Sequence, residues 1–251
     1  MMRMNDVPFF TGAPSSLRPF TMVYLSIAAL EITARILENS SFAWLEYVIK
    51  PLIMLSLLTY FLLETRGDDL GPKWFMVGAM AFSLFGDVLL MFSGPQFFLL
   101  GLGGFLIAHI CYIIIFLRPE PEASETPMLL RKPWLVMPFL IYGSGILIVL
   151  VPHIGSMAAP VVVYALVITA MGLAALNRWK RVPIRSFGMV FLGALLFIIS
   201  DTIIALNRFL NEDLPIPLAS LWIMLTYMAA QYLIVIGILR QWWESKLVAA
   251  R

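Results

Sequence analysis

The sequence predicts an all-α, polytopic membrane protein, folded as a bundle of eight transmembrane helices with both termini in the cytoplasm. Three observations predict this fold class: the composition, the length of the apolar runs and the distribution of positive charge. Of the 251 residues, 61% are hydrophobic and 13% are charged, and the mean hydropathy is +0.91. Because soluble domains contain about 25% charged residues, this composition excludes an ordinary soluble domain. The net charge is only +2, and the basic residues lie in short loops rather than in one patch. Both observations argue against nucleic acid as a partner.

Eight apolar segments are long enough to cross a hydrocarbon core of about 30 Å, which needs about 20 helical residues. Proline and glycine occupy the connections, where they end helices, as at Gly94-Pro95 and Pro183. We therefore expect one transmembrane domain over residues 18–240, between cytoplasmic tails at 1–17 and 241–251. The predicted spans are 18–37, 47–64, 72–93, 97–117, 134–151, 158–176, 186–207 and 216–240.

Lysine and arginine set the orientation, because cytoplasmic loops carry an excess of both. Of the 17 lysines and arginines, all but Arg35, Lys50 and Arg208 lie in the N-terminal tail, the second, fourth and sixth loops or the C-terminal tail. These regions lie on the same side of an eight-span bundle. The sequence therefore predicts that both termini are cytoplasmic.

Cysteine and histidine are too few for several kinds of site. The single cysteine, Cys111, excludes an intrachain disulfide and a cysteine-cluster metal site. With two histidines in all, a three-histidine zinc centre cannot be built. We expect no metal and no organic cofactor.

Two aspartates lie inside apolar runs, Asp87 in AFSLFGDVLLMF and Asp201 in LLFIISDTIIAL. An ionisable side chain in a membrane span costs at least about 2.5 kcal/mol on insertion scales, and such residues mark functional sites by default. At about 1.5 Å per residue, the two lie about 24 and 22 Å from the cytoplasmic ends of their spans. Both are therefore predicted in the same outer layer of the membrane.

The aspartate pair has two interpretations. In the first, the carboxyls make interhelical hydrogen bonds or relay protons. In the second, they form a catalytic pair in which one carboxyl keeps its proton and the other stays ionised, as burial and a neighbouring carboxylate favour. Sequence spacing does not decide between these interpretations.

Five further polar residues are candidates to line a cavity. His109 and Tyr112 stand at i and i+3, and Tyr227 and Gln231 at i and i+4, so each pair shares a helix face. Hydrogen-bonded interior pairs are the alternative. His109 lies about 18 Å from the outer end of its span, which predicts a position well below the aspartates. Lys50 opens the second span, either as an interfacial lysine or as a ligand for a lipid phosphate.

Five fragments, which occur in the same order and on matching spans, resemble the YhhN family of membrane proteins, which includes the lysoplasmalogenases. They cover most of the chain between residues 50 and 234. The fragments are Lys50-Pro51-Leu52, FSLFGD (82–87), GLGGFLIAHICY (101–112), GALLFIISDTIIA (193–205) and YMAAQYLI (227–234).

This resemblance implies an eight-span hydrolase that cleaves the vinyl ether bond of a lysoplasmalogen, with Asp87 and Asp201 as the catalytic acids. The products would be a fatty aldehyde and glycerophosphoethanolamine or glycerophosphocholine. The implied partners are a lysophospholipid substrate and membrane lipids, and the implied location is the cell membrane, in a bacterium the inner one. The sequence leaves the oligomeric state open.

Two other functions fit the same residues. A proton- or cation-coupled transporter would use Asp87 and Asp201 as its ion site. However, the sequence contains no inverted repeat and no clearly broken pair of spans. A lipid-binding membrane protein without catalysis would tolerate asparagine at either position.

Overall fold

Eight long α-helices make up most of the computed structural model, which describes residues 14–36, 44–68, 71–118 and 125–249. Within these ranges the chain forms no β-strand. One-turn helices lie at Met128–Arg131, in the loop predicted between the fourth and fifth spans, and at Pro133–Val136, at the predicted start of the fifth span. The long helices are α1 (Leu17–Ile36), α2 (Leu45–Glu64), α3 (Lys73–Leu89), α4 (Pro95–Phe116), α5 (Met137–Ile154), α6 (Ala158–Leu176), α7 (Ile184–Phe209) and α8 (Ala219–Ala249).

Six stretches among the described residues are long and apolar enough to cross a membrane, which confirms an all-α, multi-pass membrane protein. One of them, Pro133–Leu176, contains both α5 and α6, separated by a turn in which Gly155 has a φ of +50°. Helix α3 is not among the six, since it has only 17 residues. The count of eight crossings and the cytoplasmic termini therefore stay predictions.

Helices α3 and α8 end well away from the predicted ends of their spans. Helix α3 ends at Leu89, before the predicted end at 93, because the chain turns toward Gly94, whose φ of +122° breaks the helical path. Helix α8 continues to Ala249, well past the predicted end at 240. Its extension is held by packing of Trp242 on Phe61, with ring centroids 5.5 Å apart. Most of the predicted C-terminal tail is therefore helical.

Glycines allow two helix pairs, α3 with α4 and α7 with α8, to pack closely. A Cβ atom on Gly104 would lie 3.0 Å from the carbonyl oxygen of Phe82, and one on Gly193 would lie 2.9 Å from that of Ala230. Lipid tails are as apolar as the helix surfaces, so the hydrophobic effect does not drive helices together in a membrane. Helix association there depends on close van der Waals packing of this kind. These two pairs carry Asp87 and Asp201.

Candidate active site

Asp87 is buried in a hydrogen-bonded network that joins α3, α4 and α8. Asp87 is 3% exposed, and the hydroxyl of Tyr227 donates a hydrogen bond to Oδ2 of Asp87 over 2.5 Å. One turn further along α8, Nε2 of Gln231 lies 3.4 Å from the Tyr227 oxygen. The predicted pair on α8 therefore faces Asp87.

Tyr112 and Ser83 complete this network. The Tyr112 hydroxyl donates to Oε1 of Gln231 over 2.5 Å, and Nε2 of Gln231 donates to Oγ of Ser83 over 3.1 Å. Ser83 lies one turn before Asp87 on α3. Because each buried polar group has a partner, the network offsets the cost of removing these groups from water.

Asp201 belongs to a second cluster, formed by α4, α6 and α7. The Tyr164 hydroxyl donates to Oδ2 of Asp201 in a very short hydrogen bond, and Nε2 of His109 lies 3.2 Å from the same oxygen. The Tyr164 oxygen and His109 Nε2 are 2.9 Å apart. The three side chains are therefore in mutual contact.

This contact corrects the depth expected for His109, which does not lie well below Asp201. Helix α7 has 26 residues, so at about 1.5 Å per residue it is about 39 Å long and exceeds a core of about 30 Å. Such a helix tilts or extends beyond the core, so the residue count along it does not give depth directly. Counting residues from the end of a neighbouring helix therefore misplaced His109 relative to Asp201.

The rings of Phe105 and Phe197 separate the two clusters. Phe197 contacts His109 on one side and Tyr227 on the other, with centroid distances of 4.7 and 5.5 Å. Phe105 lies edge-on to both Phe197 and Tyr227, at 6.1 and 5.9 Å. Phe105 and Phe197 thus form an aromatic wall between a partner of Asp201 and a partner of Asp87.

Asp201 opens onto a small apolar crevice of about 40 Å³. The side chain of Asp201 is 10% exposed, and among the described residues of the lining it is the one charged group. The other lining residues are Leu90, Phe98, Leu102, Phe105, Val161, Tyr164, Ile204, Ala205 and Phe209. The crevice therefore has room for a short apolar part of a ligand beside the Asp201 carboxyl group.

A larger cavity of about 860 Å³ adjoins the crevice, since Leu90, Phe98, Ile204 and Phe209 line both. It is lined by charged and polar groups at the predicted outer end of the bundle. These include Arg35, Glu46, Lys50, His153, Asn207, Arg208, Asn211, Glu212, Asp213 and Ser220. Together the two spaces combine a charged region with an apolar one, as an amphipathic ligand requires.

Asp87 lies below the floor of the larger cavity. Leu90, which directly follows α3, and Met224 on α8 line that cavity. Asp87 and Tyr227 come three residues before and after them, which is about 5 Å further into the bundle. Neither Asp87 nor any of His109, Tyr112, Tyr227 and Gln231 belongs to the lining of the two cavities. Of these four predicted ligands, His109 contacts Asp201 and Tyr227 contacts Asp87, whereas Tyr112 and Gln231 bond to each other.

Lys50 differs from the other cations of the larger cavity. Arg35 pairs with Glu31 and Glu46 at 3.0 and 2.7 Å, and Arg208 lies over the ring of Phe98 at 5.1 Å. Lys50 is 7% exposed, and within the described ranges its ammonium group has neither a hydrogen bond nor an ion pair. A buried, unpaired ammonium group that lines a cavity is a good candidate for binding an anion.

Tyr164, Ser83 and Phe197 were not predicted as parts of the site. Tyr164 carried a usable signal, because it is the one hydroxyl in the apolar run PVVVYALVI, and a buried tyrosine hydroxyl needs a partner. Ser83 stands at i and i+4 with Asp87, which places them on one helix face. Phe197 resembles any core aromatic in sequence, so only the fold identifies it.

Comparison with known proteins identifies the family. The model of the YhhN family matches residues 45–238, which is more than half of the chain. The chain belongs to the YhhN family. The matched region of this YhhN protein begins at the start of α2 and contains both aspartates and every hydrogen-bonding partner described above.

Curated relatives of this YhhN protein bear the name lysoplasmalogenase. The one from Mycobacterium tuberculosis is 30% identical over 220 residues, covering 86% of this chain and 78% of the relative. Human lysoplasmalogenase TMEM86A is 32% identical over 215 residues, covering 80% and 81%. Human lysoplasmalogenase TMEM86B is 29% identical over 205 residues, covering 81% and 80%. No solved structure matches this chain significantly.

Proposed function

We propose that this protein is a lysoplasmalogenase, which hydrolyses the vinyl ether bond of a lysoplasmalogen. The products are a fatty aldehyde and glycerophosphoethanolamine or glycerophosphocholine. Relatives with that name cover most of the chain. The observation that carries the proposal is Asp201, a carboxyl group at an apolar crevice that continues into a charged cavity.

The chemistry of the reaction fits two carboxyl groups. A proton is added to the alkene carbon next to the ether-bearing one, which leaves an oxocarbenium ion. Water adds to this cation, and the hemiacetal breaks into aldehyde and alcohol. One group must donate the proton and another must stabilise the cation and orient the water, a division that glycosidases also use. We propose that Asp87 and Asp201 share these roles.

The two cavities suggest how the substrate lies. We propose that the vinyl ether end of the alkenyl chain lies at the apolar crevice and the headgroup occupies the larger cavity, with the phosphate at Lys50. Tyr112, Tyr227 and Gln231 then position Asp87, while His109 contacts Asp201. The site of action is the cell membrane, and in a bacterium the inner membrane.

Substrate selectivity tests the proposed chemistry. Purified protein is incubated with lysoplasmenylethanolamine or with its saturated ether analogue, and aldehyde is measured. We expect aldehyde from the vinyl ether alone, because a saturated ether has no double bond to protonate. Equal cleavage of both lipids would refute protonation of the alkene. No aldehyde from either, together with transport of a solute into vesicles, would favour a transporter.

Lys50→Met tests the phosphate contact. Hydrogen bonds to charged groups contribute about 1.5–3 kcal/mol, so KM for the lysoplasmalogen should rise about tenfold or more. We expect Lys50→Arg to restore part of the loss, since it keeps the positive charge. Lys73→Met is the control. Lys73 is the first residue of α3, whereas the larger cavity lies beyond the last residue of this helix, and the Lys73 ammonium group lies over the ring of Trp74. An unchanged KM in Lys50→Met would exclude Lys50 as the phosphate ligand.

A further inference from the structure

The two oxygens of Asp201 have different surroundings. Oδ2 accepts the hydrogen bond from Tyr164 and also contacts Nε2 of His109. No hydrogen bond to Oδ1 is found in the part of the chain that the structure describes, and Asp201 lines the apolar crevice. One oxygen is thus held by the protein, and the other remains available to a ligand.

We infer that Tyr164 and His109 hold Asp201 as an ionised carboxylate with Oδ1 presented to the crevice, so that Asp201 stabilises the oxocarbenium ion and does not donate the proton. This inference rests on the proposed function and assigns the role of Asp201 in it. Tyr164 is a positioning residue, since it acts through Asp201.

Hydrogen-bond donors favour the ionised form of a carboxyl group that accepts from them. Tyr164 donates its hydroxyl proton, and a neutral imidazole of His109 can donate from Nε2 when its other nitrogen is the acceptor. His109 Nδ1 has no hydrogen-bond partner among the described residues, which fits that tautomer. Without these donors, a carboxylate in an apolar crevice would be costly.

The apolar lining makes the carboxylate effective toward a cation. A charge interaction is much stronger where water is excluded, and the other crevice residues carry no charge. The positive charge that develops on the ether carbon and oxygen would therefore meet Oδ1 of Asp201. The uncharged vinyl ether gains little from the same contact, so the stabilisation is specific to the transition state.

The reaction balances over one turnover with Asp201 in this role. The O–H bond of the acid that donates the proton breaks, its proton bonds to the alkene carbon, and the double-bond electrons form the new C–H bond. Water then adds to the ether carbon beside Asp201 and returns one proton to that acid. The hemiacetal C–O bond breaks as its hydroxyl proton passes to the leaving oxygen, which yields aldehyde and alcohol.

A cationic analogue separates this role from a structural one. The probe is a lysophospholipid with a protonated secondary amine in place of the vinyl ether group, and the reference is the neutral saturated ether. We expect Tyr164→Phe to weaken binding of the amine about tenfold or more, as for loss of a hydrogen bond to a charged group. Binding of the neutral ether should change less than twofold. The kcat for aldehyde release should fall at least tenfold with KM nearly unchanged.

Tyr142→Phe is the matched control. Tyr142 lies on α5 and bonds to Thr202, the residue after Asp201, over 2.6 Å, so its loss removes a comparable hydrogen bond without touching the carboxylate. We expect it to bind both probes like the wild type. Asp201→Asn should lose the preference for the amine, whereas Asp87→Asn should retain it.

Three outcomes would overturn the inference. They are wild-type amine binding by Tyr164→Phe, equal loss of both probes in that variant, and loss of amine preference in Asp87→Asn rather than in Asp201→Asn. If Tyr164→Phe does not fold, His109→Leu tests the same support from the other donor. Aldehyde release by the wild type is measured in parallel, so failure of the proposed function is seen separately.

Discussion

Asp201→Asn and Asp87→Asn are each expected to slow aldehyde release about 10²- to 10⁴-fold, the range typical of general acid–base groups. Asparagine keeps the shape of aspartate, but it neither donates a carboxyl proton nor carries a negative charge. The partners around each position, Tyr227 at Asp87 and Tyr164 at Asp201, can still bond to the amide oxygen. The measurement is aldehyde release by purified protein, with size-exclusion chromatography to verify the fold.

Asp68→Asn is the control for these variants. Asp68 lies before the start of α3, whereas Asp87 lies near the end of that helix. The ion-pair partner of Asp68 is Lys246. We expect this variant to keep full activity. Wild-type rates in both Asp201→Asn and Asp87→Asn would refute carboxyl catalysis at these positions and leave the interhelical hydrogen-bond interpretation.

Gly86→Ala should reduce both stability and activity, because it forces α3 and α4 apart beside Asp87. The new methyl group would lie 2.7 Å from the ring of Phe105 and 3.1 Å from the carbonyl oxygen of Gly101. Overpacking of this kind typically costs about 1–3 kcal/mol. Thermal unfolding in detergent and aldehyde release measure the two effects. A shift of Phe105 would also disturb the wall between the clusters.

A glycine with space around it provides the comparison for Gly86→Ala. Gly78 also lies on α3 and faces α4, but its added methyl group would lie 3.5 Å from Sγ of Cys111, an ordinary contact. Gly78→Ala should therefore leave unfolding and activity unchanged. Phe105→Leu, combined with Gly86→Ala, should recover part of the stability, since contacting residues are not additive. Equal stability of Gly86→Ala and Gly78→Ala would contradict the predicted clash.

Sequence predicted the fold class well because hydropathy alone selects membrane helices, where no other structure satisfies the backbone. It also selected both aspartates, since a charge in an apolar run is visible without a fold. Helix ends were less predictable. The end of α3 depends on the turn before Gly94, and the extension of α8 depends on contacts such as Trp242 with Phe61.

The partners of the candidate residues were harder to predict than the residues themselves. Tyr164 and Asp201 are 37 residues apart, and their contact depends on how α6 and α7 pack. His109 was misplaced because depth was counted along straight helices from assumed surface positions. Tyr112 and Gln231 are 119 residues apart, so the residue spacing within one helix could not predict their hydrogen bond either.

The contrast between the charged cavity and the apolar crevice also bears on how a reaction cycle would end. Hydrolysis divides an amphipathic lipid into a water-soluble alcohol and an oily aldehyde. The alcohol would leave through the charged mouth into water, whereas the aldehyde would partition into the bilayer. Once the products occupy different phases they rarely meet again. The membrane itself would then make the conversion one-way, without any coupled source of energy.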